Sequence, residues 1–354
     1  MKREYYLGLA AQGLRIPVGA DLVVHEKPDP HAVMLDGRCL GEAIAEAAYR
    51  YHTPLAVPLM DLTVEKAVLL EALEIPSDAA AAYHLTAPLT PEQLAAVDAV
   101  LRHPANPRWA ANLGAIRHIA ENRTDLVPVG MCIGPFSLMT KLIADPITAV
   151  YLAGTGLTGA DDAEVRLVET TVEAGVRVIT ASARAQAAAG ARLMFVCEPA
   201  ANTVYLSPLQ VAAENDAGDV FDRFVMEPNR RLKAVLDASG VDLLLHDCGE
   251  LQPAYIRRLA SLHPVILSLG SPVDLPAAAA LVPKDVVLFG NLPSKKFYSD
   301  AEITVQQVRE MAAELAARMR ETGHPFILGT ECDVLSVPGH EETIREKVEA
   351  MLAA

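Results

Sequence analysis

His246 and Cys248 in VDLLLHDCGE, together with Cys332 in LGTECD, have the residue types and spacing to hold a metal ion. If 241–248 is a strand, residues two apart project to the same side, so the imidazole and the first thiol face one point while Asp247 faces elsewhere. One nitrogen and two sulfurs are a donor set that suits zinc, and three protein ligands leave a fourth tetrahedral position open for substrate or water. Two thiolates neutralise most of the ion's charge. A water at such a centre is activated less than at an all-histidine site, whereas a thiol still loses its proton there. The pattern points to making a nucleophilic sulfur and not to hydrolysis. The plainer reading is that free cysteines are small buried hydrophobes and that His246 is a satisfied histidine; joint placement at two strand ends with H-x-C spacing favours the metal. Cys39 on a predicted helix, Cys132 and Cys197 read as packing residues.

The elements that must bring these residues together recur down the chain. Short runs rich in Val, Ile and Leu, each followed by a turn and a helical pattern, predict parallel strands. They fall at Asp21–His25, Pro54–Leu59, Leu126–Cys132, Arg192–Glu198, Val241–Cys248, Pro264–Leu269, Val286–Asn291 and Pro325–Asp333. Helical periodicity fills the intervals, at Leu40–Tyr51, Glu65–Leu73, Pro107–Asn122, Asp162–Ala189, Val220–Ser239, Pro253–Leu262, Pro272–Leu281 and Val305–Thr322. Eight strands predict a closed (β/α)8 TIM barrel comprising residues 1–354 as one domain, with Pro76–Asn106 an insertion between the second and third strands that contains a helix at Pro91–Arg102. An open doubly wound sheet uses the same alternation. Gly154-Thr155-Gly156-Leu157-Thr158-Gly159 has dinucleotide-motif spacing, but no strand precedes it, so it reads as a loop. In a barrel the chemistry sits at the carboxyl ends of the strands, where Cys332 can meet His246 and Cys248.

The formal charge of −15, with no cluster of Lys and Arg, argues against nucleic-acid binding. No apolar run approaches the roughly 20 residues a membrane helix requires, and the opening MKREYYLGLAAQGLRIP is unlike a signal peptide. Five widely spaced cysteines suit reduced thiols better than a disulfide framework, and we expect a cytoplasmic protein.

The segments VGMCIGPFSLMTKL (129–142), EPAAN (198–202), LLLHDCGE (243–250), LSLGSPVDL (267–275), FGNL (289–292) and FILGTECDVLSVPGHEETI (326–344) resemble the uroporphyrinogen decarboxylase superfamily, in particular its branch of methylcobamide:thiol methyltransferases. The resemblance implies a (β/α)8 barrel and a His-x-Cys-xn-Cys zinc motif that falls on His246, Cys248 and Cys332. It further implies transfer of a methyl group from a methyl-Co(III) corrinoid on a partner protein to a zinc-bound small thiol, leaving Co(I). The arginine-rich amino-terminal signature of the true decarboxylases is absent from this sequence. Demethylation of a methylated small molecule onto a corrinoid protein, porphyrinogen decarboxylation, and a non-catalytic metal-binding barrel are the competing readings. Among supporting residues, Asp61 and Glu198 are candidates to orient ligands, contact zinc or accept a proton, or else cap the helices that follow them. Asn291 is a candidate to shape the substrate pocket, and His25 is either structural or substrate-binding. Glu331 and Asp333, flanking a ligand, are expected to point away from the metal.

Overall fold

A computed structural model describes residues 3–76, 79–212 and 220–354. Runs of branched and aromatic residues buried on both faces make eight strands: β1 Arg15–Val18, β2 Leu55–Ala56, β3 Val127–Ile133, β4 Leu193–Cys197, β5 Asp242–Asp247, β6 Ile266–Leu269, β7 Val287–Leu292 and β8 Phe326–Asp333. All ladders are parallel and their order is β1-β8-β7-β6-β5-β4-β3-β2. The sheet curls into the expected (β/α)8 barrel with one seam, because among the described residues no ladder joins β1 to β2. Leu9, Ile16, Val127, Val129, Phe195, Leu244, Ile266, Phe289 and Ile327 belong to the buried cluster of the barrel strands and the amino-terminal helix, separate from the packing under the outer helices.

The first strand is displaced from its predicted place. Asp21–His25 lies in a helix, Ala20–His25, whose residues 20–24 are all buried, and β1 is instead the RIPV run before it. Burial of Leu22, Val23 and Val24 among Leu40, Ala43, Ile44 and Ala47 of the helix Gly37–Arg50 overrides their preference for strand. Pro17, which has no N–H to give a ladder, is tolerated in RIPV because β1 pairs along one edge only. The predicted helix Val220–Ser239 is a π-helical turn, Asp222–Met226, followed by an α-helix Glu227–Ala238 with Pro228 in its first turn. Proline has no N–H to donate, so the ladder changes there. Residues 77 and 78 of the Pro76–Asn106 stretch lie outside the described residues; its helix spans Pro91–Val100 and carries a Thr90/Gln93 capping box. Gly154 closes the helix Pro146–Gly154 and residues 155–159 form turns and loop, as expected of a segment with no strand before it. No helix among the described residues is long and apolar enough to cross a membrane.

Because β2 contributes only Leu55 and Ala56, the outer edge of β3 lacks a strand beyond Pro128. The buried amide of Gln186, on the long helix Ala163–Ala188, takes that place: its Oε1 accepts from Met131 N at 2.9 Å and its Nε2 donates to Met131 O at 2.9 Å. Gly130 leaves it room, since a Cβ there would stand 2.5 Å from Gln186 Oε1. Gln186 also donates to Ser182 Oγ at 3.0 Å, and Ser182 donates to Glu65 Oε1 at 2.8 Å. Burial raises the Glu65 carboxyl to about 7, against the lowering effect of the Ser182 hydrogen bond. The unfolded carboxyl releases its proton near 4.5 and the folded one near 7, so the unfolded state gains as pH rises through that window and stability falls. Glu65→Gln is expected to flatten that decline, gaining on the wild type by about 1–3 kcal/mol between pH 5 and pH 8. Urea unfolding at the two pH values measures it; identical pH dependence in both proteins would refute the assignment.

Candidate metal centre

His246 is the penultimate residue of β5, on the same inward-facing row as Leu244, and Cys248 follows two residues later. The parallel ladder sets His246 beside Ser268 of β6 and Cys197 of β4. Ser268, fully buried, lies 2.8 Å from His246 Nδ1. The Phe195 ring meets the imidazole edge-on at 5.5 Å between centroids. Nε2 is buried without a hydrogen-bond partner. A buried ring nitrogen left unmatched is costly unless a further ligand engages it.

Cys332 reaches the same place by a different route. Regular alternation along β8 from Ile327, in the buried cluster, would turn Gly329 and Glu331 inward and Cys332 outward. The ladder with β1 is irregular here: Ile16 pairs with Gly329 but Val18 pairs with Asp333, so a two-residue step on β1 faces a four-residue step on β8. The bulge re-aims the strand end. Ligand atoms of His246, Cys248 and Cys332 then lie within 4.8 Å of one another, and these three residues form one possible metal-binding group among those described. One ion with bonds of about 2.0–2.3 Å can draw all three in. The donor set, the unmatched Nε2 and the proximity of two thiols together fit zinc.

The two thiols share their proton chemistry. Cys332 is drawn well below the usual thiol range, chiefly by its hydrogen bond with Cys248 and then by the neighbouring His246 imidazole, against burial; Cys248 is pushed up by that same bond and by burial. One proton leaves easily and the second is retained, until a cation compensates for its loss. Lys295, in the 3-10 turn Ser294–Lys296 after β7, feels the charge of Cys248, Glu331 and Cys332; burial opposes its own charge, but these neighbours hold its affinity for a proton above normal. Met60 Sδ lies 3.7 Å from Cys332 Sγ, and Met60 N donates to Asp333 Oδ2 at 2.7 Å, joining the loop after β2 to the end of β8.

The other candidates stand in separate arrangements. Both oxygens of the buried Glu198 are engaged: Oε1 accepts from Phe136 N at 3.1 Å and Asn229 Nδ2 at 2.8 Å, and Oε2 from Ser137 N at 2.9 Å and Ser137 Oγ at 2.7 Å. It thereby caps the helix Pro135–Leu142, whose own N-cap residue, Gly134, has no side chain; a Cβ at Gly134 would stand 2.0 Å from Glu198 Cδ. The capped helix precedes β4 and is not the one after it. Burial raises the Glu198 carboxyl despite these bonds. Asp61 Oδ1 accepts from Thr63 N and Thr63 Oγ1, while Oδ2 accepts from Arg108 Nε at 3.0 Å with Nη2 at 2.9 Å. Asn291 Nδ2 donates to Gly270 O at 2.8 Å and Val273 O at 2.7 Å. His25 contacts Asp21 O through Nδ1 at 2.9 Å and lines a separate cavity of about 260 Å³ with Glu26, Ser336 and Arg345. Asp247 faces away from the metal group, with Oδ1 accepting from Gly249 N at 2.8 Å and burial raising its carboxyl to about 8. Cys132 and Cys197 are buried, and burial pushes both thiols up; Cys39 is at the first turn of the helix Gly37–Arg50. The sequence reading passed over Ser268, Lys295 and Met60. Only Ser268 carried a signal, being the polar residue in VILSLG that a parallel register sets beside His246.

The sequence profile described as uroporphyrinogen decarboxylase (URO-D) matches residues 36–354. No curated protein matches the chain in sequence. A methyltransferase from Methanosarcina mazei superposes over 100% of this chain and 98% of its own, with a TM-score of 0.66 and 18% identity, a likeness of fold. A 3-keto-D-glucoside 4-epimerase, YcjR, from E. coli covers 70% of this chain and 86% of its own with a TM-score of 0.41 and 12% identity, too low to bear on the site. Glu198→Ala strands buried donors on Phe136, Ser137 and Asn229, and is expected to cost roughly 2–4 kcal/mol in chemical unfolding of the metal-free chain. An unchanged unfolding midpoint would show that those donors find other partners.

Proposed function

The chain belongs to the uroporphyrinogen decarboxylase family, and from that premise we propose that it is a zinc-dependent methyltransferase, moving a methyl group from a methylated corrinoid on a partner protein to a small thiol. The observation that carries the reading is the meeting of His246, Cys248 and Cys332, an imidazole and two thiols, at the ends of β5 and β8. A solved methyltransferase of the same fold supports it in kind. Zinc, when bound by these three residues, supplies a Lewis acid with an open position at which a thiol is held as thiolate at neutral pH.

The chain's own residues do the rest. Ser268 fixes the imidazole so that Nε2 is the ligand atom. Cys248 and Cys332 give up their protons on loading, and the Lys295 ammonium lends positive potential to the sulfurs. Phe195 closes one side of the imidazole against water. In this reading Glu198 holds the helix Pro135–Leu142 against β4. Asp61, paired with Arg108, sets the loop that carries Met60. Asn291 holds the turn after β6. The binding energy of these groups goes into orientation, because a methylcorrinoid is itself a reactive donor.

Metal analysis of the purified chain should return one zinc per chain, lost in Cys332→Ala, and the wild type should demethylate free methylcobalamin only when a thiol is added. Cys332→Ala should lower that rate by at least about 100-fold. A metal-free wild type with no thiol-dependent loss of the methylcobalamin absorbance would overturn the proposal.

A further inference from the structure

Two of the three donors, His246 and Cys248, and Glu331, the chain neighbour of the third, are held from one short stretch, Ser268–Val273, which ends β6 and turns away from it. Ser268 Oγ lies 2.8 Å from His246 Nδ1. Gly270 packs its bare Cα face on Cys248, where a Cβ would meet Cys248 Cα and O at 2.6 Å each, and Gly270 N donates to Asp247 O at 3.0 Å. Ser271 donates to Glu331 Oε2 from Oγ at 2.5 Å and from N at 3.3 Å. Asn291 grips the stretch from β7 through the carbonyls of Gly270 and Val273.

The third of these ties differs from the others. Cys248 follows directly on a paired strand, whereas the last β7–β8 pair is Leu292 with Thr330 and the β1 ladder resumes only at Asp333. Glu331 and Cys332 therefore sit in the bulge without a ladder partner, and side chains must fix their conformation. Ser294 Oγ reaches Cys332 O at 3.3 Å and Asp333 O at 3.4 Å, at the long end of hydrogen bonding, while Ser271 reaches Glu331 through both its hydroxyl and its N–H and links the bulge to the segment that holds the other two ligands. Glu331 is buried and Ser271 is exposed, so the hydroxyl of Ser271 contributes little to the core.

We propose that Ser271 and Glu331 form a latch that sets the bulge of β8, and with it the reach of Cys332 toward His246 and Cys248, so that both are positioning residues of the metal centre. The inference rests on the metal reading above. Its test is titration of the metal-free full chain with Co2+, following the sulfur-to-cobalt absorption band and measuring affinity by chelator competition. Ser271→Ala is expected to weaken Co2+ binding by about 10–100-fold and to diminish the band as one thiolate is lost, while leaving urea unfolding of the metal-free chain unchanged. Glu331→Gln, which keeps an acceptor for the Ser271 hydroxyl, should stay near the wild type; Ser271→Ala combined with Glu331→Ala should bind no more weakly than Ser271→Ala alone. Wild-type affinity and band in Ser271→Ala, or an affinity loss that merely tracks lost folding stability, would overturn the latch and leave the metal reading standing. A wild type that gives no thiolate–cobalt band would overturn both.

Discussion

Two thiols and an imidazole, supplied by strands that are distant in sequence, must occupy one small volume, and most of the upper rim is arranged around that demand. Bringing β5 and β8 together requires β6 and β7 between them to be in register, and the parallel ladders provide it. Packing alone does not make such a cluster stable. Two half-buried thiols can shed one proton between them at little cost but not two, and an imidazole nitrogen with nothing to bond is left over. Under the proposed function, binding of a divalent cation would remove each of these defects, so the local cost of the cluster and its affinity for a metal would have a common origin.

The buried carboxylates divide by what surrounds them. Glu198 and Asp333 accept backbone amides and tie neighbouring elements together. Glu65 lies against the outer edge of β3, where a serine and a glutamine on one helix replace the missing strand. Glu198 and Asp333 lie at strand ends, where a reading of residue types alone finds catalysts, and Glu65 lies in the first turn of the helix Val64–Ala72. Their hydrogen bonds connect them to the frame, which accounts for polar residues at the barrel rim beyond the three ligands.

Much of the site could be read from the sequence because strand alternation is local. His246 and Cys248 follow from H-x-C at the end of an apolar run, and seven of the eight strands stand within a few residues of their expected limits. What escaped reading depends on long-range contacts. Asp21–His25 has the composition of a strand, and only its burial against a later helix makes it helical. Cys332 was expected at the metal on the assumption that β8 is regular; regular alternation with Ile327 would have turned it away, and an irregularity in pairing with β1 restores it. Nothing in LGTECD announces a bulge. Helices such as Pro135–Leu142 and Pro146–Gly154 went unassigned although each opens with proline in its first turn: the first is short and buried on several sides, and the second carries apolar residues on its exposed face too, with Ile147 and Tyr151 outside.

The seam between β1 and β2 bears on how this molecule behaves toward its own copies. A barrel ordinarily removes exposed strand edges by closing on itself, and an incompletely closed one risks offering a template for intermolecular pairing and aggregation. Here the two edges are short, β1 at four residues and β2 at two. Pro17 takes one donor from β1, and both residues of β2 are fully buried. An unclosed ring is thus compatible with a chain that stays dispersed at high concentration, since neither lip presents enough free backbone for a neighbour to add a strand.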